Sequence, residues 1–232
     1  MKVAVMQPYA FPYIGYLQLV AAVDRFVFLD DVAYINKGWI NRNRVLVNDK
    51  EHLFTLPLSG ASQNRTIHTI ELLGDGKWKT KFLRTIEMAY RKAPAFAEVF
   101  PLITEMVMHN EVMLAKYIEQ GFRILNERLG IKTELTSSSQ LDPGSLLKAQ
   151  DRIIHLCTLS SATMYINPIG GTELYSADAF EKAGMRLQFL KTDPIEYPQG
   201  NAEFVPWLSV IDVLMYNGID GVKEMLGKYR LI

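Results

Sequence analysis

The sequence predicts an α/β protein: a parallel sheet of about five strands, with a β-hairpin and a helical excursion inserted after the second. Three observations carry that prediction. Short apolar runs alternate with stretches of helical periodicity at both ends of the chain. A strand, a helix and a second strand fit within about thirty residues at the start, the span of a βαβ unit. Polar or glycine-rich segments follow the strands directly, where a parallel sheet puts its ligand-facing loops.

The elements follow in order. Val3-Ala4-Val5-Met6 is a short buried strand that stops at Gln7-Pro8. Pro12 suits a first helical turn, and Ile14, Leu17, Val20 and Ala21 then share one helix face up to Asp24. Phe26-Val27-Phe28-Leu29 is the second strand and ends in Asp30-Asp31. Residues 44–58 read as a hairpin turning at Asn48-Asp49, followed by a strand over 67–73. Residues 77–91 and 101–129 read as helices, the second carrying Leu102, Met106, Met113, Tyr117, Phe122 and Leu125 at helical spacing before Gly130. Such a stripe is core before it is a cofactor box.

The α/β alternation then resumes with a strand at 131–135, a helix at 145–159 and a strand at 164–166. A helix at 178–183 and a strand at 185–190 follow. Ser209-Val210-Ile211-Asp212 has capping-box spacing and opens a helix running towards Asn217-Gly218. The expected organisation is one α/β domain over 1–232, with a β-rich insertion at 36–75 and a helical region at 76–130 packed on the core.

Composition narrows the function classes. Of the 232 residues, 49% are hydrophobic and 22% charged, as in a chain that buries a real core. Lys plus Arg and Asp plus Glu stand at 25 each, so the basic surplus a nucleic-acid binder needs is missing. Cys157 is the single cysteine and lies in an apolar run, which makes it a buried thiol rather than a nucleophile or part of a zinc cluster. Met1-Lys2 leads straight into a strand, and no apolar stretch reaches bilayer length, so a cytoplasmic protein without a transmembrane segment is expected. His52, His68, His109 and His155 include no pair at metal-ligand spacing, so no metal site is assigned. The oligomeric state is not legible.

The candidate ligand residues come from the strand-end loops. Gln7 and Tyr9 follow the first strand, and Tyr13-Ile14-Gly15-Tyr16 begins the first helix, where free N–H groups and the helix dipole face the cleft. Gly15 would let a ligand approach the backbone. Tyr13 and Tyr16 are candidate catalytic groups; their alternative role is to pack the helix on the sheet. Asp30 and Asp31 alternate to opposite sides, so one is a candidate for a ribose hydroxyl, an amine or Mg²⁺ and the other a turn cap.

Residues 37–44 gather three cations and two amides around one tryptophan. Trp39, Asn41, Arg42 and Asn43 suit a phosphate or a sugar ring lying on the indole; a solvated edge strand guarded by charge is the alternative. Ser138, in a serine run after a strand, is a weaker phosphate candidate, with Lys148 and Arg152 one helical turn apart nearby. Asn167, Gly170, Gly171 and Tyr175 form the stronger loop, since paired glycines expose backbone N–H groups.

Tyr13-Ile14-Gly15-Tyr16 resembles the His-x-Gly-His element of the nucleotidylyl-transferase (HUP) superfamily, with pantoate–β-alanine ligase the nearest analogue. That resemblance implies a Rossmann-like, HUP-type sheet and, for an adenylate route, ATP with Mg²⁺. Both histidines are replaced. Tyrosine, with a pKa near 10, offers a neutral O–H donor where histidine offers a positive charge. The segments 7–16, 30–31, 38–44, 165–175 and 208–215 together resemble the WbqC-like family across nearly the whole chain. Members occur in bacterial surface-polysaccharide and O-antigen gene clusters. The resemblance therefore implies a ligase or transferase joining an amino acid or small acyl group to an amino-sugar nucleotide. In that role Gln7 and Tyr9 hold the carboxylate substrate, Tyr13 and Tyr16 bond phosphate, Asp30 or Asp31 receives the amine, and Asn41 with Arg42 clamps the sugar nucleotide. The alternative is a non-catalytic nucleotide or sugar-nucleotide binding protein that lost catalysis with its histidines.

Overall fold

The computed structural model describes residues 1–200 and 203–232. Its centre is a six-stranded sheet. The strands are β1 (Lys2–Met6), β2 (Arg25–Phe28), β7 (Glu134–Ser137), β8 (Met164–Pro168), β9 (Arg186–Thr192) and β10 (Tyr229–Leu231). Their order is β10-β9-β8-β1-β2-β7. Five run parallel, and β10 closes the edge antiparallel to β9. The first strand is thus central, and the order reverses between β1 and β8. All five parallel strands end along one rim, as expected for ligand-facing loops.

Side-chain alternation divides the core into two layers. Val3, Val5 and Val27 point to one face and pack with Leu156, Cys157 and Phe180. These come from α6 (Ala149–Leu159) and α7 (Ala177–Lys182). Burial pushes the Cys157 thiol up to about 12, so it is an inert packing group. Ala4, Phe26 and Phe28 point to the other face. That face is covered by α1 (Ile14–Ala22), α4 (Leu114–Leu129) and α8 (Val210–Met225). The short α5 (Ser138–Leu141) caps the rim after β7.

Between β2 and β7 lie β3 (Arg42–Val47), β4 (Lys50–Thr55), β5 (Leu58–Ser59), β6 (Glu71–Leu72), α2 (Lys77–Tyr90) and α3 (Phe96–Met108). The β3–β4 hairpin turns at Asn48 and Asp49, both with positive φ, the backbone a two-residue turn requires. Several expectations need correction here. The strand expected over 67–73 is a 3₁₀ turn at Ile67–Thr69 plus the two-residue β6. The helix expected over 101–129 is two helices: α3 starts at Phe96, five residues before Pro101, and α4 starts at Leu114. The chain breaks between them because the Glu111 carboxylate takes the Val112 and Met113 amides, while the Val112 carbonyl accepts from Leu72 N–H. That strand-like contact lies far away in sequence, and periodicity does not register it. The final strand β10 was not expected. No helix among the described residues is long and apolar enough to cross a membrane.

Candidate functional site: an aromatic cleft over the first strand

The loop after β1 is bent by tertiary bonds. Phe11 holds a positive φ of 47°, a conformation that costs a bulky residue roughly 1–3 kcal/mol. It persists because its carbonyl accepts from Asn43 Nδ2 at 2.8 Å and from Ser209 Oγ at 2.7 Å. Neighbouring bonds run from Ala10 N–H to the Ile40 carbonyl, 2.9 Å, and from Val210 N–H to the Pro12 carbonyl, 2.7 Å. The loop is therefore clamped between β3 and the start of α8. Arg44 joins the same clamp, its carbonyl accepting from Ser209 N–H at 2.9 Å.

This clamp sets Tyr9, Tyr13, Trp39 and Arg44 around a cavity of about 200 Å³, with Trp207 as its far wall. Trp207 also holds a positive φ, 62°, yet leaves its indole 64% exposed, edge-on to Tyr13 at 5.7 Å between ring centroids. The strained backbone thus presents a large apolar ring to solvent. Trp39 is the opposite platform, 43% exposed. The Arg42 and Arg44 guanidinium carbons lie 5.5 Å and 5.7 Å from its ring centroid.

The two arginines differ. Arg42 spends its donors on the Gly38 and Lys37 carbonyls. Arg44 bonds Glu51 at 2.5 Å through Nη1, but its buried Nε has no partner. Arg44 is the cation that lines the cavity, and it is already paired with Glu51. Burial raises the Tyr9 hydroxyl pKa, and burial followed by the neighbouring Tyr9 raises that of Tyr13. Both stay neutral donors at physiological pH.

A family model described as the WbqC-like protein family matches residues 7–224, a span containing both the clamp and the cleft. The chain belongs to the WbqC-like family. It is similar to an uncharacterized protein of Mycobacterium tuberculosis strain H37Rv, Rv1507c, with 26% identity over 225 residues covering 94% of this chain and 95% of that protein. No solved structure matches.

In this WbqC-like chain the other candidates fall into separate groups. Tyr16 is a core residue, 1% exposed, packed on Phe26 and Phe122. Its hydroxyl donates to the Gln7 carbonyl at 2.7 Å, so it faces the protein rather than a ligand. Tyr16→Phe should cost about 1 kcal/mol in urea denaturation and leave ligand affinity unchanged; a large loss of affinity would return Tyr16 to the site. The space beside Gly15 is filled by protein: a Cβ there would sit 2.5 Å from the Tyr13 ring and 2.8 Å from Thr192 Oγ1. Gly15 serves Tyr13 placement, not ligand approach.

Asn41 is buried, accepting from Tyr34 Oη and donating to the Leu56 carbonyl, both at 2.8 Å. It shapes the hairpin base and cannot also clamp a sugar without giving up these bonds. Asn43 likewise holds Phe11.

Asp30 and Asp31 lie at the rim over β2 and β7 in a closed network. Asp30 accepts from Ser139 N–H and from Ser139 Oγ at 3.0 and 2.8 Å, and its own N–H donates to Ser138 Oγ at 3.1 Å. Asp31 accepts from Ser138 Oγ at 2.6 Å and pairs with Arg152 at 2.5 Å. Every carboxylate oxygen here is engaged, so as arranged the pair does not fit Mg²⁺, and Ser138 is a tie rather than a phosphate donor. Among the described residues no three His, Cys, Asp or Glu side chains gather to hold a metal ion.

Asn167 is buried and donates to Tyr165 Oη at 2.6 Å. Its amide oxygen fills the space a Cβ on Gly171 would need. Tyr175 stands edge-on to Tyr165 at 5.5 Å, while Gly170 opens to solvent. This loop is a packed corner on the opposite layer.

The cleft residues that sequence reasoning passed over are Trp207 and the flanking residues 192–197, 204, 206 and 208. The signal was thin: one tryptophan after Pro206, outside any periodic element.

Proposed function

We propose that this WbqC-like protein binds a nucleotide or sugar nucleotide in the Tyr13–Trp207 cleft. There it forms an amide between an acyl or aminoacyl group and an amino-sugar nucleotide in bacterial surface-polysaccharide biosynthesis. The observation that carries the reading is the strained, exposed Trp207 indole lining one cavity with Trp39 and Arg44. Aromatic faces suit a base or sugar ring, and a guanidinium lining the cavity suits phosphate. Two further features support it. The strand order, reversing between β1 and β8, matches doubly wound nucleotide-binding sheets and so favours a Rossmann-like, HUP-type relationship. Family membership favours the polysaccharide context.

In the reaction the sugar amine attacks the acyl carbon, the leaving group departs with its bonding pair, and the amine proton passes to that group or to water. Trp39 and Trp207 hold the ring, Arg44 neutralises phosphate, and Tyr9 and Tyr13 donate hydrogen bonds. With both hydroxyls neutral, neither tyrosine is the base, so rate comes from proximity and an already activated acyl group.

One observation favours a second reading, a binding protein without turnover: Asp30, Asp31 and Tyr16 are all occupied by internal bonds. UDP-glucose and dTDP-glucose should raise Tm and quench tryptophan fluorescence. Arg44→Met should weaken that binding roughly tenfold or more, since a hydrogen bond to a charged group contributes about 1.5–3 kcal/mol. No binding of either nucleotide, or unchanged binding in the variant, defeats the reading. Binding with no amide product from any activated acyl donor selects the second.

A further inference from the structure

Beyond the Tyr13–Trp207 pair lies a second basin of about 310 Å³. It shares both rings with the first cavity, so the two are halves of one cleft. Tyr197 and Phe204 add two more aromatic walls, edge to face at 5.3 Å. The Tyr197 ring is fixed from behind: its hydroxyl donates to Asp212 Oδ1 at 2.8 Å and accepts from Gln199 Nε2 at 3.1 Å.

The charges of the two halves are opposite. Arg44 is the charged residue lining the first half, with its partner Glu51, at 2.5 Å, outside the lining. The second is lined by Asp193 and Glu196, with no lysine or arginine. Asp193 pairs with Arg230 at 3.3 Å. Glu196 has no hydrogen-bond or ion-pair partner among the described residues.

We propose that the second basin receives a protonated amine, which releases that proton to water before any attack on an acyl carbon, so that the whole cleft takes a ligand anionic at one end and cationic at the other. This rests on the nucleotide reading above and assigns the half of the site that reading leaves open. The physical warrant is twofold. Aromatic faces carry negative quadrupoles that attract a cation, and four of them line this basin. An unpaired carboxylate at the mouth supplies the Coulombic partner and repels a second anion. A neutral acyl chain would meet the same aromatic walls but would gain nothing from Glu196.

Tryptophan-fluorescence titration of the full chain at mildly acidic pH, with UDP, UDP-glucose and UDP-glucosamine as probes, tests this. UDP-glucosamine should bind about fivefold tighter than UDP-glucose, the upper range of a cation–aromatic contact at an exposed site. Glu196→Gln should reduce that advantage to the part the aromatic faces supply, while leaving the affinity for UDP unchanged. If UDP binds but the amine gives no advantage, or the advantage is undiminished in Glu196→Gln, the basin is not an amine site. If UDP itself fails to bind, the nucleotide reading falls, and this assignment falls with it.

Discussion

Arg152→Met should destabilise the protein by about 3 kcal/mol or more, because breaking a buried ion pair strands the remaining charges. Arg152 is 3% exposed and reaches two carboxylates, Asp31 at 2.5 Å and Asp142. Its second nitrogen also donates to the Asp142 carbonyl at 3.1 Å. Methionine fills most of the volume but leaves both carboxylates short of a cation. Asp31 keeps the Ser138 hydroxyl, and Asp142 keeps His155 Nε2 at 3.1 Å, so the loss stops short of two full charge burials. Urea denaturation should show a lower midpoint at unchanged slope. Nucleotide affinity at the aromatic cleft should be untouched once the variant is folded. A variant with wild-type stability would mean that the pair is solvated and that Asp31 is available for chemistry after all.

Asp212→Ala should have an effect of similar size, by a different route. Asp212 is fully buried and accepts from Tyr90 Oη at 2.7 Å, Tyr197 Oη at 2.8 Å and Gln199 Nε2 at 3.0 Å. Tyr90 in turn accepts the Leu46 amide at 2.9 Å. Alanine leaves these buried donors unsatisfied, at about 1–3 kcal/mol each before relaxation. It also frees the Tyr197 wall of the cleft, so binding should weaken along with stability. Asp212→Asn should recover most of the stability, since an amide still accepts one hydroxyl.

The pH dependence separates the charge from the geometry. Burial raises the Asp212 carboxyl above its ordinary range, while the hydrogen bonds from Tyr90, Tyr197 and Gln199 oppose the rise. The folded state therefore holds this proton more tightly than the unfolded state. Its contribution is full below the ordinary carboxylate pKa and is lost as pH climbs through the raised value. Asp212→Asn carries no such proton, so it should gain on the wild type as pH rises from about 4 towards neutrality. A Tm difference that is flat across that range would show that the carboxylate is ionised throughout.

Much of the frame was legible in the sequence because it is set by near neighbours. The β1–α1–β2 start follows from apolar runs broken at Gln7 and Asp24, and the β3–β4 turn from Asn48 and Asp49. The five parallel strands follow from apolar segments separated by helical ones. The split of 101–129 was hidden because α3 and α4 both carry the stripe that one long helix would carry, and the break depends on an amide contact with β6. Tyr16 looked like a ligand group because its tetrapeptide sits at a helix start. Whether its hydroxyl faces solvent depends on Phe26 and Phe122, which periodicity cannot orient.

By itself, then, the sequence determined the sheet-and-helix alternation, the family and the rim on which a ligand would be sought, since each depends on local pattern. Only the tertiary structure decided which candidates share a cleft. Its walls are joined by bonds such as Ser209 to Phe11, 198 residues apart, and those bonds set the backbone that aims Tyr13, Trp39 and Trp207. Contacts of such separation leave no periodic trace, because they depend on how whole elements stack rather than on which residue follows which.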